Sequence, residues 1–402
     1  MTANRNGTLC IVGGGIVGLA AALKASERGQ FQKIIVLEKE AEVGQHQTGH
    51  NSGVLHCGLY YKPGSEKARL AVDGINQMTR FCATHNVPYE ICGKVVVAVT
   101  DEEVPHLKAL EARGRENGLS GLRWLSPAEL AEREPNVAAK AALLVPQEGI
   151  ADFPAVARKM RSLIEAAGHE VRTSTAFRGL HVSGTQQTVE TTGDEIPVDF
   201  LINCGGLHAD RICEACGITP PCRIVPFRGE YFRMTGEGEH LVKHLVYPTP
   251  NPSLPFLGVH FTRMINGGVE AGPNAVLAMK REGYRKTAFS AKDAFDSLSW
   301  PGFWKFLGKY PKVTLDEFNN SFFRSAFLKN LQRLVPAVQN HHLGDGGFAG
   351  VRAQAMARDG SLVMDFMFRH APGQLHVLNA PSPGATASLA IGDHIINQIH
   401  EN

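Results

Sequence analysis

The 402-residue chain has no apolar run approaching the ~20 residues that a membrane-spanning helix needs, so no such span is expected. It also lacks a charge bias. Its 41 basic and 39 acidic residues give a formal net charge of +2, which excludes a global nucleic-acid footprint. No cysteine framework is visible: the eight cysteines, at 10, 57, 82, 92, 204, 213, 216 and 222, follow no regular spacing. Several lie inside apolar runs and read as reduced thiols. Cys213-x-x-Cys216, with Cys222 nearby, lacks a second ligand pair at finger-like spacing and sits in a helix-like run, so no metal is expected. Met1–Gly7 carries no signal or transit character, and a cytoplasmic setting is expected. Internal repeats and low-complexity linkers are absent as well.

What the chain does have is glycine, 42 residues of it. The most informative stretch is Leu9-Cys-Ile-Val12 followed by Gly13-x-Gly15-x-x-Gly18 and the Ala/Leu-rich Leu19–Leu23. A buried strand, a glycine turn and a helix in that order form the dinucleotide fingerprint in its required context. Gly13 suits the tight turn, Gly15 a close backbone approach to pyrophosphate, and Gly18 close helix–strand packing. The helix N-terminus faces the phosphate charge. A second apolar strand, Ile34–Leu37, ends at Glu38, where a carboxylate can accept hydrogen bonds from a ribose.

A nicotinamide enzyme would continue in regular strand–helix units. Here a loop rich in Gly, His, Asn and Ser follows instead, from Gly44 to Tyr61. Helices are predicted over Lys67–His85, Asp101–Asn117 (Asp101 capping), from Ser126-Pro127, and over Pro154–Ala167. Strands are predicted over Cys92–Val99, Glu170–Phe177 and Val198–Cys204. Glycine clusters recur at Cys204-Gly205-Gly206 and at Ser382-Pro-Gly384-Ala385-Thr386, which is read as opening the last helix. A cofactor touched by both ends of the chain is long, as FAD is, and a helix end near Gly384 would favour the negative charge of a reduced flavin. The region from Pro220 to about Pro336 reads as strand-rich. The fold expected is α/β, a Rossmann-like FAD-binding domain (1–85, 145–217 and 345–402) with an inserted strand-rich substrate domain (86–144 and 218–344).

His46–Gly64, Ile224–Tyr231, Pro255–Thr262, Gly272–Leu277, Lys280–Tyr284, Gly350–Gln354 and Asn379–Thr386 together carry a family likeness. The chain resembles the FAD-dependent oxidoreductases of the D-amino-acid-oxidase type, and among them the L-2-hydroxyglutarate dehydrogenase family. The resemblance implies a glutathione-reductase/D-amino-acid-oxidase-type fold, non-covalent FAD and a small dicarboxylate substrate oxidised to 2-oxoglutarate. It also implies a bacterial setting and electrons passed to a membrane quinone or another acceptor. The cofactor contacts expected are Gly13, Gly15, Ile16, Val17, Gly18, Glu38, Lys39, Thr48, Gly49, His50, Asn51, Ser52, Gly53, Phe177, Cys204, Gly205, Gly206, Arg352, Gly384, Ala385 and Thr386.

Oxidising a 2-hydroxy acid requires a proton acceptor poised near neutrality and cationic groups for carboxylates. His56 and His260, in glycine-flanked segments, are the two candidates for the base, since an unperturbed imidazole has a pKa of ~6.5. Arg352 and Arg228 are the candidate carboxylate forks, each with an interdomain salt bridge as its alternative. Tyr60, with Tyr61 and Lys62, either walls the pocket or packs the core. Other substrates, malate-like or an amino acid, and a non-catalytic redox sensor are the competing readings. Finally, residues 300–312 gather Trp300, Phe303, Trp304, Phe306, Leu307 and Tyr310 with three lysines. The segment reads either as a peripheral contact with anionic lipid on the inner face of the cell membrane or as internal packing.

Overall fold

Thr8–Val12 lies inside a six-stranded sheet whose order is Met367–Ala371, Gln374–Asn379, Phe200–Asn203, Thr8–Val12, Lys33–Leu37 and Glu170–Arg172. All neighbours are parallel except the 367–379 hairpin. In the computed structural model, which describes residues 7–251, 258–311, 321, 323–344 and 347–399, Leu9–Val12 and Ile34–Leu37 are buried throughout. Such runs are apolar without alternation because both faces of the sheet are covered. Helix Ile16–Arg28 packs against helices Phe153–Ala166 and Ser388–Gln398 on one face. A three-stranded antiparallel sheet, Phe177–Ser183, Gln186–Thr191 and Glu195–Val198, contributes Val189, Ile196 and Val198 to the other.

Gly18 shows why the first helix can start where it does. A Cβ there would stand 2.1 Å from the Gly13 carbonyl oxygen, and Gly13 itself has φ +115°. Only glycine permits both the turn and the approach.

A seven-stranded sheet runs Phe232–Arg233, Val269–Gly272, His260–Arg263, Leu245–Pro248, Lys94–Ala98, Ala141–Val145 and Arg123–Leu125. Strand alternation divides its residues. Val95, Val97, Val246 and Phe261 join a core with helix Arg324–Leu334. Their neighbours Lys94, Tyr247 and His260 therefore point the other way. Two small sheets connect the large ones. Val54–Leu55 and Tyr89–Glu90 flank Gly149–Ala151, and Val276–Leu277 and Ala349–Ala357 flank Cys222–Glu230.

Several expectations need correction. Glu170–Phe177 is two strands, ending at Arg172 and restarting at Phe177, because residues 173–176 turn back to give Ser174 and Thr175 N–H groups to the Glu40 and Glu38 carbonyls. The last helix begins at Ser388, and residues 382–387 are a turn. Helix Glu103–Glu116 follows Glu102, not Asp101. The region after Ser290 is helical: Ala291–Leu298, Pro301–Lys309 and Arg324–Leu334. The caps at Ser126, with Glu129 closing a capping box, and at Asp152 follow ordinary N-cap chemistry.

The aromatic segment turns inward. Trp300, Phe303 and Phe306 are buried against Val225, Phe227 and Met356 on one face of the Cys222–Glu230 and Ala349–Ala357 pair. Trp300 Nε1 donates to the Met356 carbonyl at 3.1 Å, and Gly302 lies so close that a Cβ would be 2.1 Å from the Ala357 oxygen. Those three rings are core, and only Trp304, 59% exposed, faces outward; Lys312 lies outside the described residues. Phe306→Ala is expected to destabilise the fold by about 3–5 kcal/mol in urea unfolding, the range for a deleted core aromatic. Trp304→Ser, which removes one surface hydrogen bond to Leu298 O, is expected to cost no more than about 1.5 kcal/mol. Equal losses would show that the helix is oriented otherwise.

Candidate active site

The turn after Thr8–Val12 leaves a cradle for a ligand. A Cβ at Gly15 would meet nothing closer than Thr48 Oγ1 at 3.6 Å, so the backbone there borders open space. The Thr48 hydroxyl accepts the Ile16 N–H at 2.9 Å. Glu38 is buried, with its carboxylate accepting the Gly14 and Glu40 N–H groups at 3.0 and 2.9 Å. Burial pushes its carboxyl above the usual range despite those donors. An acceptor at the end of the second strand, a helix N-terminus and an open glycine backbone are the donor set that an adenosine pyrophosphate requires. These residues fit FAD.

The loop beyond is shaped by its own side chains. Asn51 Nδ2 donates to the Gln47 and Thr48 carbonyls, and its Oδ1 accepts the Gly53 N–H at 2.8 Å. His50 stacks on Tyr284, with centroids 3.8 Å apart, and Nδ1 meets the Ala349 carbonyl at 3.0 Å. Asn203, fully buried, orients the Cys204–Gly206 turn by accepting the Gly205 N–H at 3.0 Å. Gly384 and Ala385 sit in the 382–387 turn, so no helix end lies at Gly384. Thr386 links this turn to the loop: its hydroxyl donates to Val54 O at 3.1 Å and accepts His56 N–H at 3.2 Å.

Beside that junction lies a buried ionisable cluster. Lys94 and Glu148, both fully buried, form an ion pair. Lys94 Nζ lies 4.8 Å from the Tyr60 ring centre and 4.2 Å from that of Tyr247. His260 stacks on Tyr247 at 3.8 Å, and His56 meets Tyr247 edge-on at 6.4 Å. The Tyr60 hydroxyl is buried with no hydrogen-bond partner among the described residues. Burial would raise the Glu148 carboxyl, but Lys94 and then His56 hold it below the usual range. Burial lowers the His56 pKa, with Glu148 opposing. Burial also takes His260 down to about 3, with the charges of Lys94, His56 and Arg352 adding to it.

The structure therefore brings His56, His260, Tyr60 and Arg352 to one region. Arg228 is not among them. Register pairs Arg352 with Phe227 and Arg228 with Val351, so the two arginines point to opposite faces. Arg228 is buried and committed to Glu230 Oε1 at 2.9 and 3.1 Å and to Arg285 O at 3.1 Å. Its salt bridge lies within its own strand, not between domains as the alternative had it. Lys39 is likewise engaged by Glu40 and Glu282, with His46 beside it. Phe177 packs its ring against the sheet with Leu180 and Ile212. Lys94, Glu148 and Tyr247 were not singled out from sequence. Lys94 opens a run of valines and Glu148 lies between a turn and a short strand, and only tertiary pairing reveals either.

The FAD dependent oxidoreductase family model matches residues 8–398, and the chain belongs to that family. Solved structures agree on the fold. Reduced L-α-glycerophosphate oxidase from Mycoplasma pneumoniae with FAD bound has a TM-score of 0.77 at 22% identity, covering 98% of this chain and 94% of that one. Glycine oxidase from Geobacillus kaustophilus has a TM-score of 0.71 at 17% identity, covering 98% and 95%. Closer in sequence is the L-2-hydroxyglutarate dehydrogenase of Indibacter alkaliphilus, 48% identical over 95% of this chain and 96% of that protein. The Escherichia coli K12 enzyme of the same name is 42% identical over 97% and 92%. The human mitochondrial one is 42% identical over 98% and 88%. Within the wider family, the chain belongs with the L-2-hydroxyglutarate dehydrogenases.

Gly15 and Gly18 separate two roles. Gly15→Leu should leave the apoprotein folded but abolish FAD retention, while Gly18→Ala should destabilise the fold itself, because its Cβ meets backbone. Glu38→Ala should weaken FAD binding by about 1.5–3 kcal/mol, a charged hydrogen bond's share. Equilibrium dialysis and circular dichroism check the three. A folded Gly15→Leu that retains FAD would contradict the assignment.

Proposed function

We propose that the chain oxidises L-2-hydroxyglutarate to 2-oxoglutarate with non-covalently bound FAD. The observation that carries the reading is the cluster of buried His260 and Tyr247 with half-buried His56 and Tyr60, where the charge of Arg352 is felt, in a chain 48% identical to an L-2-hydroxyglutarate dehydrogenase. When bound, FAD supplies a two-electron acceptor for the hydrogen leaving C2. The chain supplies the rest. Arg352, whose charge is felt at both His260 and Tyr231, is the carboxylate fork. Lys67, with its Nζ 4.7 Å from the Tyr61 ring centre and its charge felt at His56, serves the second carboxylate. The buried walls keep water from the reacting alcohol. Cys57, buried with a thiol pushed well above its ordinary pKa by burial, is a poor nucleophile for a covalent flavin link.

The same reading assigns residues 1–85, 145–217 and 345–402 to the cofactor and 86–144 and 218–344 to the substrate. In support, the six-stranded sheet draws every strand from the first set, and the seven-stranded sheet draws essentially all of its strands from the second.

Electrons leave to a membrane quinone or another acceptor. The surface for such contact is not the buried face of residues 300–306. It is the outward pair Phe295 and Trp304, 71% and 59% exposed on helices that pack together, with Lys305 and Lys309 beside them. No helix among the described residues is long and apolar enough to cross a membrane.

Mixed anaerobically with L-2-hydroxyglutarate, its D-isomer, malate or D-amino acids, the holoprotein should lose its yellow absorbance with the first. Bleaching by another compound alone would reassign the substrate. Arg352→Lys should raise KM more than it lowers kcat, since an ammonium lacks the bidentate fork. On anionic liposomes at low salt the wild type should sediment and a Phe295→Ser/Trp304→Ser variant should not. A wild type left in the supernatant removes the lipid contact.

A further inference from the structure

We propose that His56 is the base of the oxidation and that Glu148 is its positioning partner, held in place and in its ionised form by Lys94. This rests on the reading of the site as one that oxidises a 2-hydroxy acid.

Glu148 divides its two oxygens. Oε1 accepts the Cys57 N–H and the Cys57 thiol, each at 3.4 Å, while Oε2 pairs with Lys94 and lies 3.4 Å from His56 Nδ1. Neither His56 Nδ1 nor Glu148 Oε2 makes a hydrogen bond among the described residues, and a carboxylate only accepts, so this approach favours the neutral ring carrying its proton on Nδ1 with the Nε2 lone pair turned to the alcohol. Thr386 fixes the His56 backbone, and the Tyr247 edge fixes the ring. The alcohol proton would pass to Nε2 as the C2–O bond becomes a carbonyl, FAD when bound supplying the acceptor for the C2 hydrogen and its electron pair. The imidazolium so formed lies beside a carboxylate. His260 has no such support. Its Nδ1 faces only the uncharged Gly258 carbonyl at 3.0 Å, and the neighbouring cationic groups oppose its protonation. Neutral, with Nδ1–H donating to that carbonyl, it can accept a hydrogen bond at Nε2 but does not take up a second proton.

The other groups acting on His56 are Lys94 and Lys67, which oppose its protonation, His260, which burial keeps neutral, the adjacent Cys57 and the edge-on Tyr247, both also kept neutral by burial. Glu148 therefore supplies the one negative charge among these neighbours.

The test uses Glu148→Gln and the double variant Glu148→Gln/Lys94→Met as holoenzymes, the double variant covering the case in which an orphaned Lys94 unfolds the single one. Both should reduce flavin ~10²-fold or more slowly, the scale of a lost acid–base contribution. In Glu148→Gln the acid limb of the reduction rate should move to lower pH, because the charge that raised the His56 pKa is gone. Selective ¹⁵N-histidine spectra, with His56 assigned by its own replacement, should show the Nδ1–H tautomer in the wild type. That spectrum needs no substrate, so it stands apart from the substrate assignment. A double variant with wild-type rate and acid limb, or an Nε2–H tautomer at His56, overturns the proposal.

Discussion

Two opposite charges buried against each other, Lys94 and Glu148, form the joint on which the site depends. Each ion loses several kcal/mol of hydration on burial, and removing one partner of such a pair costs about 3–5 kcal/mol. Lys94 opens a strand of the seven-stranded sheet, and Glu148 immediately precedes Gly149–Ala151, which pairs with Val54–Leu55. The Gly93 N–H also donates to the Glu148 carbonyl at 2.8 Å. The pair thus ties the loop that leaves the cofactor cradle to the sheet that carries Tyr247 and His260. Where His56 stands relative to Tyr247 follows from that tie.

A second buried pair holds the opposite flank. Arg281 and Asp210 are almost wholly buried, and Asp210 also accepts the Ile224 N–H at 3.0 Å. Helix Ala209–Ala215, which follows the Cys204–Gly206 turn, is thereby pinned to strand Cys222–Glu230. Ion pairs of this kind set geometry more than they add stability. Between the two joints the chain crosses repeatedly from one large sheet to the other, and the small bridging sheets mark the crossings.

The cofactor half was legible in the sequence because its requirements are local. Gly13, Gly15 and Gly18 are fixed by steric rules that act over a few residues, Glu38 by its place at the end of the second strand, and the strand–turn–helix around them follows from hydrophobic run length. The catalytic half was legible only in part. His56 and His260 stand out as histidines among glycines, but nothing in a line of residues says that Glu148, 92 positions after His56, comes to its Nδ1. Arg352 and then Arg228 were both candidate forks until strand register put them on opposite faces. The aromatic segment at 300–306 has a period that defines an apolar face, and the same period serves a lipid surface or a sheet face equally well. The Cys222–Glu230 and Ala349–Ala357 strands beneath it decide.

The most direct test of the account is the rate of anaerobic flavin reduction by L-2-hydroxyglutarate deuterated at C2, measured in H₂O and in D₂O. If the C2 hydrogen leaves as hydride while the alcohol proton moves to a histidine, C2 deuteration slows reduction several-fold and D₂O slows it further. Equal rates for the deuterated and ordinary substrates, with chemistry isolated in a single turnover, would contradict it.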